Sequence, residues 1–553
     1  MNKKITHYIY VLFFIFFSSD FIAQKINLKI TSKSNIDNLI LEEVDFKKTH
    51  NNTTSINSEV NKVSNYLKNI GYFTNTIDSI ITIKNKQIAY FSLNEKTKNA
   101  RIRINNNINL LQTKYKIENK IISIPIKKIK ALLLEISNSL EKQGRSFSKV
   151  QLKNIYIKDK ILFGETEILS SEKRNINKLI VKGYKEFPNS YLKNHFNLKL
   201  NSVFNQKKIK DISNSTKSIQ FIKEIKPPEI LFTKDSTILY LYLKKIQNNS
   251  FDGIISFTSK ENGKVVFNGN INLKLHNILN TGEKFELFWN SIGGERQEFK
   301  ILTEIPYIFN STITPEISFS IYKQDSTFLN TNFNSKIKYS ITRKLKIGLS
   351  YNTETSSELE QPNYINNINN FTNNFIGFQL SYTKPKFDLF YNNKFSLEIN
   401  PSIGKRKSKN NTSNQYKLRA TTSYIFDINY RNSIYIKNDT GLLNSDTYLN
   451  NELFRIGGAN SIRGYNEQSI FTKSYTFFNL EYRFLTTEKS YLYSITDIGK
   501  IKENNNKLLS FGLGYKFINN SSFFNIGAAI SKDQTDQILL KNTKIIIDWS
   551  IYF

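Results

Sequence analysis

Phe333-Asn334-Ser335-Lys336-Ile337-Lys338-Tyr339-Ser340-Ile341 alternates large apolar residues with polar ones. Successive side chains of a strand point to opposite sides, so Phe333, Ile337, Tyr339 and Ile341 share one face and Asn334, Lys336, Lys338 and Ser340 the other. The pattern recurs in Ile271, Leu273 and Leu275 set against Asn270, Asn272 and Lys274, and in segment after segment from Phe251 to Phe553. Strands are predicted near residues 251, 264, 283, 297, 314, 331, 345, 373, 394, 414, 433, 473, 490, 507, 522 and 543. That is about sixteen, an even number, as a closed membrane barrel with both ends on one side requires. A soluble sandwich alternates too, but it needs no such run. Thr342-Arg343-Lys344 and residues 486–489 are expected as tight turns at one end. Residues 352–371, 405–414 and 441–472 are expected as long polar loops at the other. Phe251-Asp252-Gly253 is expected as the turn into the first strand.

The rest of the composition agrees with export. Met1 to Lys4 carries two lysines and leads into the apolar run Ile5 to Phe17, which stops at Ser18-Ser19. This is the pattern of a signal peptide, expected over residues 1–23, and its core is too short to span a bilayer comfortably. Without cysteine there is no disulfide, thiolate metal site, thiol nucleophile or lipid attachment point. No later apolar run is long enough for a membrane helix, so a membrane protein here has to cross with strands. The 30 Tyr and 42 Phe suit strands and interfacial girdles. The net charge of +32 reflects joint overuse of Lys, Asn and Ile, with contact to anionic lipid as the functional alternative. Nucleic-acid binding is not expected, because no finger motif or basic aromatic platform accompanies the charge.

From Gln24 to about Asn249 short strands alternate with helical stretches. Residues 56–67 are predicted helical, broken at Gly71, with paired strands over 79–84 and 87–93. A helix over 127–140 precedes strands near 150–157 and 160–168. A strand over 179–181, helical segments over 190–196 and 206–219, and strands over 230–232 and 237–243 follow. Three units of one type is the economical reading. They resemble POTRA domains, the β-α-α-β-β modules that stand in the periplasm before assembly barrels. The matching residues are Leu67 and Gly71-Tyr72-Phe73 in the first unit and Leu179-Ile180-Val181-Lys182-Gly183-Tyr184 in the third. The expected division is 24–98, 99–174 and 175–249 for the units and 250–553 for the barrel. The fold class is thus α+β periplasmic POTRA-like domains followed by a transmembrane antiparallel β-barrel of about 16 strands.

Arg455-Ile456-Gly457-Gly458-Ala459-Asn460-Ser461-Ile462-Arg463-Gly464-Tyr465 falls between the eleventh and twelfth predicted strands, on the sixth far loop. It resembles the sixth-loop signature of the BamA/TamA outer-membrane assembly superfamily. Gly457, Gly458 and Gly464 allow tight folding, and Arg463 offers a planar five-donor fork to a carboxylate. The resemblance implies that the loop enters the lumen and that Arg463 meets acidic residues on strands twelve and thirteen. Glu481 in Asn479-Leu480-Glu481-Tyr482-Arg483-Phe484 and Asp497 in Thr496-Asp497-Ile498-Gly499 are the candidates. Alternation puts Glu481 with Asn479 and Arg483, opposite Leu480, Tyr482 and Phe484, but does not fix which way Asp497 points. At the C-terminus Ile547, Trp549, Ile551 and Phe553 share a face, which resembles the β-signal of outer-membrane barrels.

His7, His50, His195 and His276 are scattered and no nucleophile elbow, zinc motif or phosphate loop is present, so neither catalysis nor a cofactor is expected. The resemblance implies outer-membrane assembly, with three periplasmic units nearer the TamA arrangement than that of BamA, which carries five. A client strand would add to edges opened at the seam between the first and last strands, where strand sixteen should close on residues 251–256. A two-partner secretion translocator exporting a large exoprotein is the alternative. Implied partners are the outer-membrane bilayer, unfolded outer-membrane or secreted clients, and a periplasm-spanning protein on the arm.

Overall fold

The computed structural model describes residues 25–104, 115–259, 265–292, 296–359, 367–386, 388–390, 393–409, 411–502, 507–519, 521–532, 540 and 543–553. The expected signal peptide lies outside the described residues. The chain forms two compact bodies, residues 1–175 with 203–206, and residues 176–202 with 207–553.

The first body holds two sheets. In the first, β1 (Ile26–Thr31), α1 (Asn35–Glu42) and α2 (Thr53–Asn69) precede β2 (Thr76–Ile83) and β3 (Lys86–Ser92). β1 lies parallel to β3, and β2 pairs antiparallel on the other side of β3. Asn52 starts α2 by accepting from the Ser55 amide at 2.8 Å. Ile56, Val60, Val63 and Leu67, spaced for one helical face, are buried on the sheet. The helix stops at Gly71, whose φ of +109° suits glycine and where a β-carbon would strike the Thr97 carbonyl. In the second sheet β4 (Asn99–Ile104) lies parallel to β7 (Ile161–Leu169), which pairs with β6 (Lys149–Lys158). The expected order of a helix and two strands recurs here, with a strand added ahead of it. Between β4 and β6 the described residues hold one long helix, α3 (Ile129–Lys142), and an added strand β5 (Ile121–Pro125) antiparallel to β4.

The second body begins with a three-stranded sheet, β8 (Lys178–Lys182) parallel to β10 (Thr237–Lys245), with β9 (Ile222–Phe232) antiparallel on its far side. The helix expected over 190–196 is one π-helical turn, Tyr191–His195. α4 runs from Gln206 to Thr216 and stops short of Ile219 because the Ser218 and Ile219 amides turn back onto the Ser215 and Thr216 carbonyls. Tyr191 is buried over Gly282, with its hydroxyl donating to the Gly282 carbonyl at 3.3 Å, and its ring meets Tyr307 edge-on at 5.0 Å. Asn277 donates to the Tyr184 hydroxyl at 2.8 Å, which donates onward to Asn280 at 2.5 Å. The sheet is thereby fixed to two connections of the barrel.

Sixteen antiparallel strands close that barrel. They are β11 (Ser250–Ser259), β12 (Val265–His276), β13 (Lys284–Ile292), β14 (Arg296–Glu304), β15 (Ile313–Gln324), β16 (Phe328–Ser340), β17 (Leu345–Glu358), β18 (Phe371–Pro385), β19 (Asn393–Ser408), β20 (Asn411–Asp427), β21 (Asn432–Ser445), β22 (Ser474–Thr487), β23 (Ser490–Ile501), β24 (Lys507–Asn519), β25 (Ser522–Ser531) and β26 (Lys544–Tyr552). Ile337, Tyr339, Ile376, Ile403, Tyr482, Leu513, Ile547 and Trp549 are exposed on the outside, an apolar band suited to lipid. No described helix is long and apolar enough to cross a membrane.

Several boundaries differ from expectation. Residues 251–253 are already in β11, and 405–408 and 411–414 belong to β19 and β20. β17 and β21 continue to Glu358 and Ser445, into stretches expected as loop. Ladder hydrogen bonds carry strands through polar text that alone signals a loop, so loop length does not separate the two barrel ends as expected. The seam is the other surprise. Among the described residues β11 meets β26 only at Ser250 with Tyr552 and Phe251 with Ile551, whereas every other neighbouring pair runs in register for at least eight residues.

Candidate functional site

The connection from β21 to β22 does not stay outside. After a 3-10 turn at Asn450–Glu452 it forms a hairpin, Phe454–Ile456 paired with Ile470–Thr472, whose tip carries Arg463 into the lumen. Gly457, Gly458 and Gly464 have φ of +110°, +95° and +89°, so each needs glycine. The Gly458 amide donates to the Ile462 carbonyl at 3.1 Å, which folds the tip back on itself.

Arg463 binds two acids. Its Nε and Nη2 donate to Asp497 Oδ2 and Oδ1 at 2.9 and 2.6 Å, and its own amide donates to Oδ2 at 2.8 Å. Nη1 reaches Glu481 Oε1. The fork thus spans β22 and β23, where Asn479 lies directly opposite Asp497. Asp497 points inward and is fully buried, which settles its direction. Glu481 is held from the other side by Arg483, with Nε 2.8 Å from Oε2. Asn479 fixes the tip through the Ser461 carbonyl at 2.8 Å, and Ser531 through the Gly464 carbonyl at 2.9 Å.

Shape matters as much as charge. Ile462 is fully buried among Phe454, Ile456, Phe477, Ile501 and Leu508, and it occupies the space that a side chain at Gly499 would take. The Leu509 amide donates to the Tyr465 hydroxyl at 3.1 Å, which ties the tip to β24. Trp549, Ile551 and Phe553 lie elsewhere, exposed on the outer face of the last strand and beyond its end.

Sequence reasoning missed a second anchor. Glu452 is buried against Arg406 of β19, and it accepts from Gln415 of β20 at 2.9 Å. Arg406 also reaches the Thr447 hydroxyl at 2.5 Å. Beside it Asn451 donates to Ser356 at 2.7 Å, and its carbonyl accepts from Asn330 at 2.7 Å. On β14, Glu298 accepts from Gln468 at 2.8 Å and Arg296 reaches the Glu467 carbonyl. The only signal for these was a set of polar residues on inward faces, which any lumen has.

No family model and no curated protein matches the chain. Among solved structures it is similar to CdiB from Acinetobacter baumannii, at 14% identity and a TM-score of 0.52, over 83% of this chain and 90% of that one. CdiB from Escherichia coli matches at 13% identity and a TM-score of 0.52, over 90% and 98%. BamA from Haemophilus ducreyi lacking POTRA domains 1-3 aligns at 12% identity with a TM-score of 0.45, over 82% and 98%. The chain therefore has the fold of the two CdiB structures.

Proposed function

We propose that the protein is an assembly factor of the bacterial outer membrane, of the TamA or BamA kind, which folds and inserts β-barrel clients through the seam between its first and last strands. The observation that carries this reading is the seam itself, held by two residue pairs while every other junction is far longer. Unsatisfied strand edges in lipid are costly, so an edge left unpaired is an edge ready to take another strand. The locked hairpin supports it as well, since a lumen filled by its own loop directs a client to the wall. On this reading residues 24–98, 99–174 and 175–249 are modules in the periplasm that meet unfolded clients, and a periplasm-spanning partner docks on this arm. The work is templating and needs no covalent step. The reading is tested by depletion followed by outer-membrane proteomics, where many barrel proteins should fall together.

A second reading, export of one exoprotein by two-partner secretion, is favoured by a cation of the lumen. Lys338 stays paired with Glu304 and Glu316 of the wall, but Arg406 is held by Glu452 of the loop connection and would meet a passing chain once that connection moved aside. Depletion that changes a single secreted protein would select this reading instead.

A further inference from the structure

Between the sheet of β8 to β10 and the barrel end that it touches lies a cavity of about 1500 Å³. One wall, from α4 to the start of β9, presents Lys217 and Lys223. The other, from the β16 to β17 connection and the adjoining strand ends, presents Arg343, Lys344, Lys346 and Lys384. Among the described residues Lys223, Lys344, Lys346 and Lys384 have no carboxylate within ion-pair distance. Four acids, Asp211, Glu224, Glu304 and Asp388, line the same space, fewer than the lysines and arginines there, so the lining is net positive. Glu304 takes Lys338 at 2.9 Å, Glu224 accepts from Ser213 at 2.7 Å, and Asp388 sits 3.3 Å from Lys386.

A chain-wide excess of lysine does not account for this placement. The connections over 277–283 and 305–312, at the same barrel end, carry no lysine or arginine at all. Apart from Lys284, which pairs with Glu286 at 2.6 Å, the cations on the barrel side gather at the third connection and its neighbour, opposite the two from the sheet. Like charges crowded on facing walls repel one another, and a concave site focuses their field, so the arrangement gains when an anion enters. The cations are spread over both walls and do not converge on one point, which suits a row of carboxylates better than a single phosphate.

We propose that this vestibule binds an acidic, extended polypeptide segment on its way to the barrel, an inference that rests on the reading of the protein as a handler of unfolded clients. The test uses the full-length protein in phosphatidylcholine nanodiscs and three labelled twelve-residue peptides that differ only in carrying Glu, Gln or Lys at alternate positions. Anisotropy should show the Glu peptide binding about tenfold more tightly than the Gln peptide, and salt should erase the difference. Lys223→Glu with Lys344→Glu should cost about tenfold in affinity, while Lys127→Glu with Lys128→Glu, an equal change of net charge on another unit, should not. Equal binding of the Glu and Gln peptides, or equal loss in both double variants, overturns the proposal. So does displacement of the peptide by phosphatidylglycerol added to the disc, which makes a lipid headgroup the occupant. A client-insertion assay on the same sample separates the two readings. Missing peptide binding with normal insertion removes the vestibule alone, and peptide binding without insertion removes the functional reading beneath it.

Discussion

The δ-methyl of Ile462 lies 2.6 Å from where a β-carbon on Gly499 would stand. A glycine on the inner face of β23 is therefore the socket for the Ile462 side chain at the loop tip. Gly499→Ala should force the tip outward and cost about 1–3 kcal/mol, as overpacking of a dense site does. Protease cutting within residues 446–473 of the folded barrel should rise, and Ile462→Ala in the same chain should reverse it. Unchanged cutting would mean that the socket does not hold the loop.

Asp497 accepts three of the hydrogen bonds made by Arg463, and Glu481 shares its charge between Arg463 and Arg483. Asp497→Ala should cost about 3–5 kcal/mol of barrel stability, less if water enters the lumen. Glu481→Ala should cost no more, although it leaves two arginines facing each other. Heat-modifiable migration on gels reads both. The swap Arg463→Asp with Asp497→Arg should recover part of the loss, and no recovery would dissolve the pairing.

The second anchor should act independently of the first. Glu452→Gln removes the charge that Arg406 is buried against, and Arg406→Ala removes its partner. Each should loosen residues 446–453 and leave the tip in place. Hydrogen exchange would then rise over Asn450–Glu452 and not at Arg463. If both segments exchange together, the loop is one cooperative unit.

A cysteine-free chain gives a clean background for locking the seam. Phe251→Cys with Ile551→Cys places thiols on directly opposed residues. Oxidation should stop client insertion into liposomes and reduction should restore it. Full insertion by the oxidised form would exclude parting of the seam at this end.

His195 sits where the first sheet of the second body meets the barrel. Its Nε2 faces the Ser215 carbonyl at 3.3 Å, which can only accept, so Nε2 carries the proton and Nδ1 receives the Tyr307 hydroxyl at 3.2 Å. Burial, with Arg343 and Lys346 nearby, lowers its pKa to about 4. The folded state therefore binds fewer protons than the unfolded state between that value and the ordinary 6.5. Stability is lost as pH falls through this window, by about 1–2 kcal/mol for a partly exposed ring. Melting of the protein between pH 7 and 4.5 should show the slope, and His195→Gln should flatten it.

How much of this was legible differs by element. The barrel was readable because a strand with one face in lipid and one in a wet lumen must alternate at every second residue, and the predicted strand starts fall within three residues of those observed. Alternation placed Glu481 with Asn479 and Arg483, and Arg463 with its acidic partners was implied by the resemblance of its loop to the sixth-loop signature. In the second unit the helix and the two strands after it were legible from their periodicity, whereas β5 was not, since a five-residue apolar run just ahead of a helix carries no signal of its own.

Alternation and strand number were legible because they depend on spacing between near neighbours, and the sixth-loop motif was legible through its resemblance to a known signature. The inward turn of Asp497, the fit of Ile462 at Gly499, the meeting of Glu452 with Arg406 and a seam of two residue pairs among the described residues emerge only in the closed barrel. Those are matters of register and of contact between distant segments, and they are set by which edges pair and which side chains share a buried space.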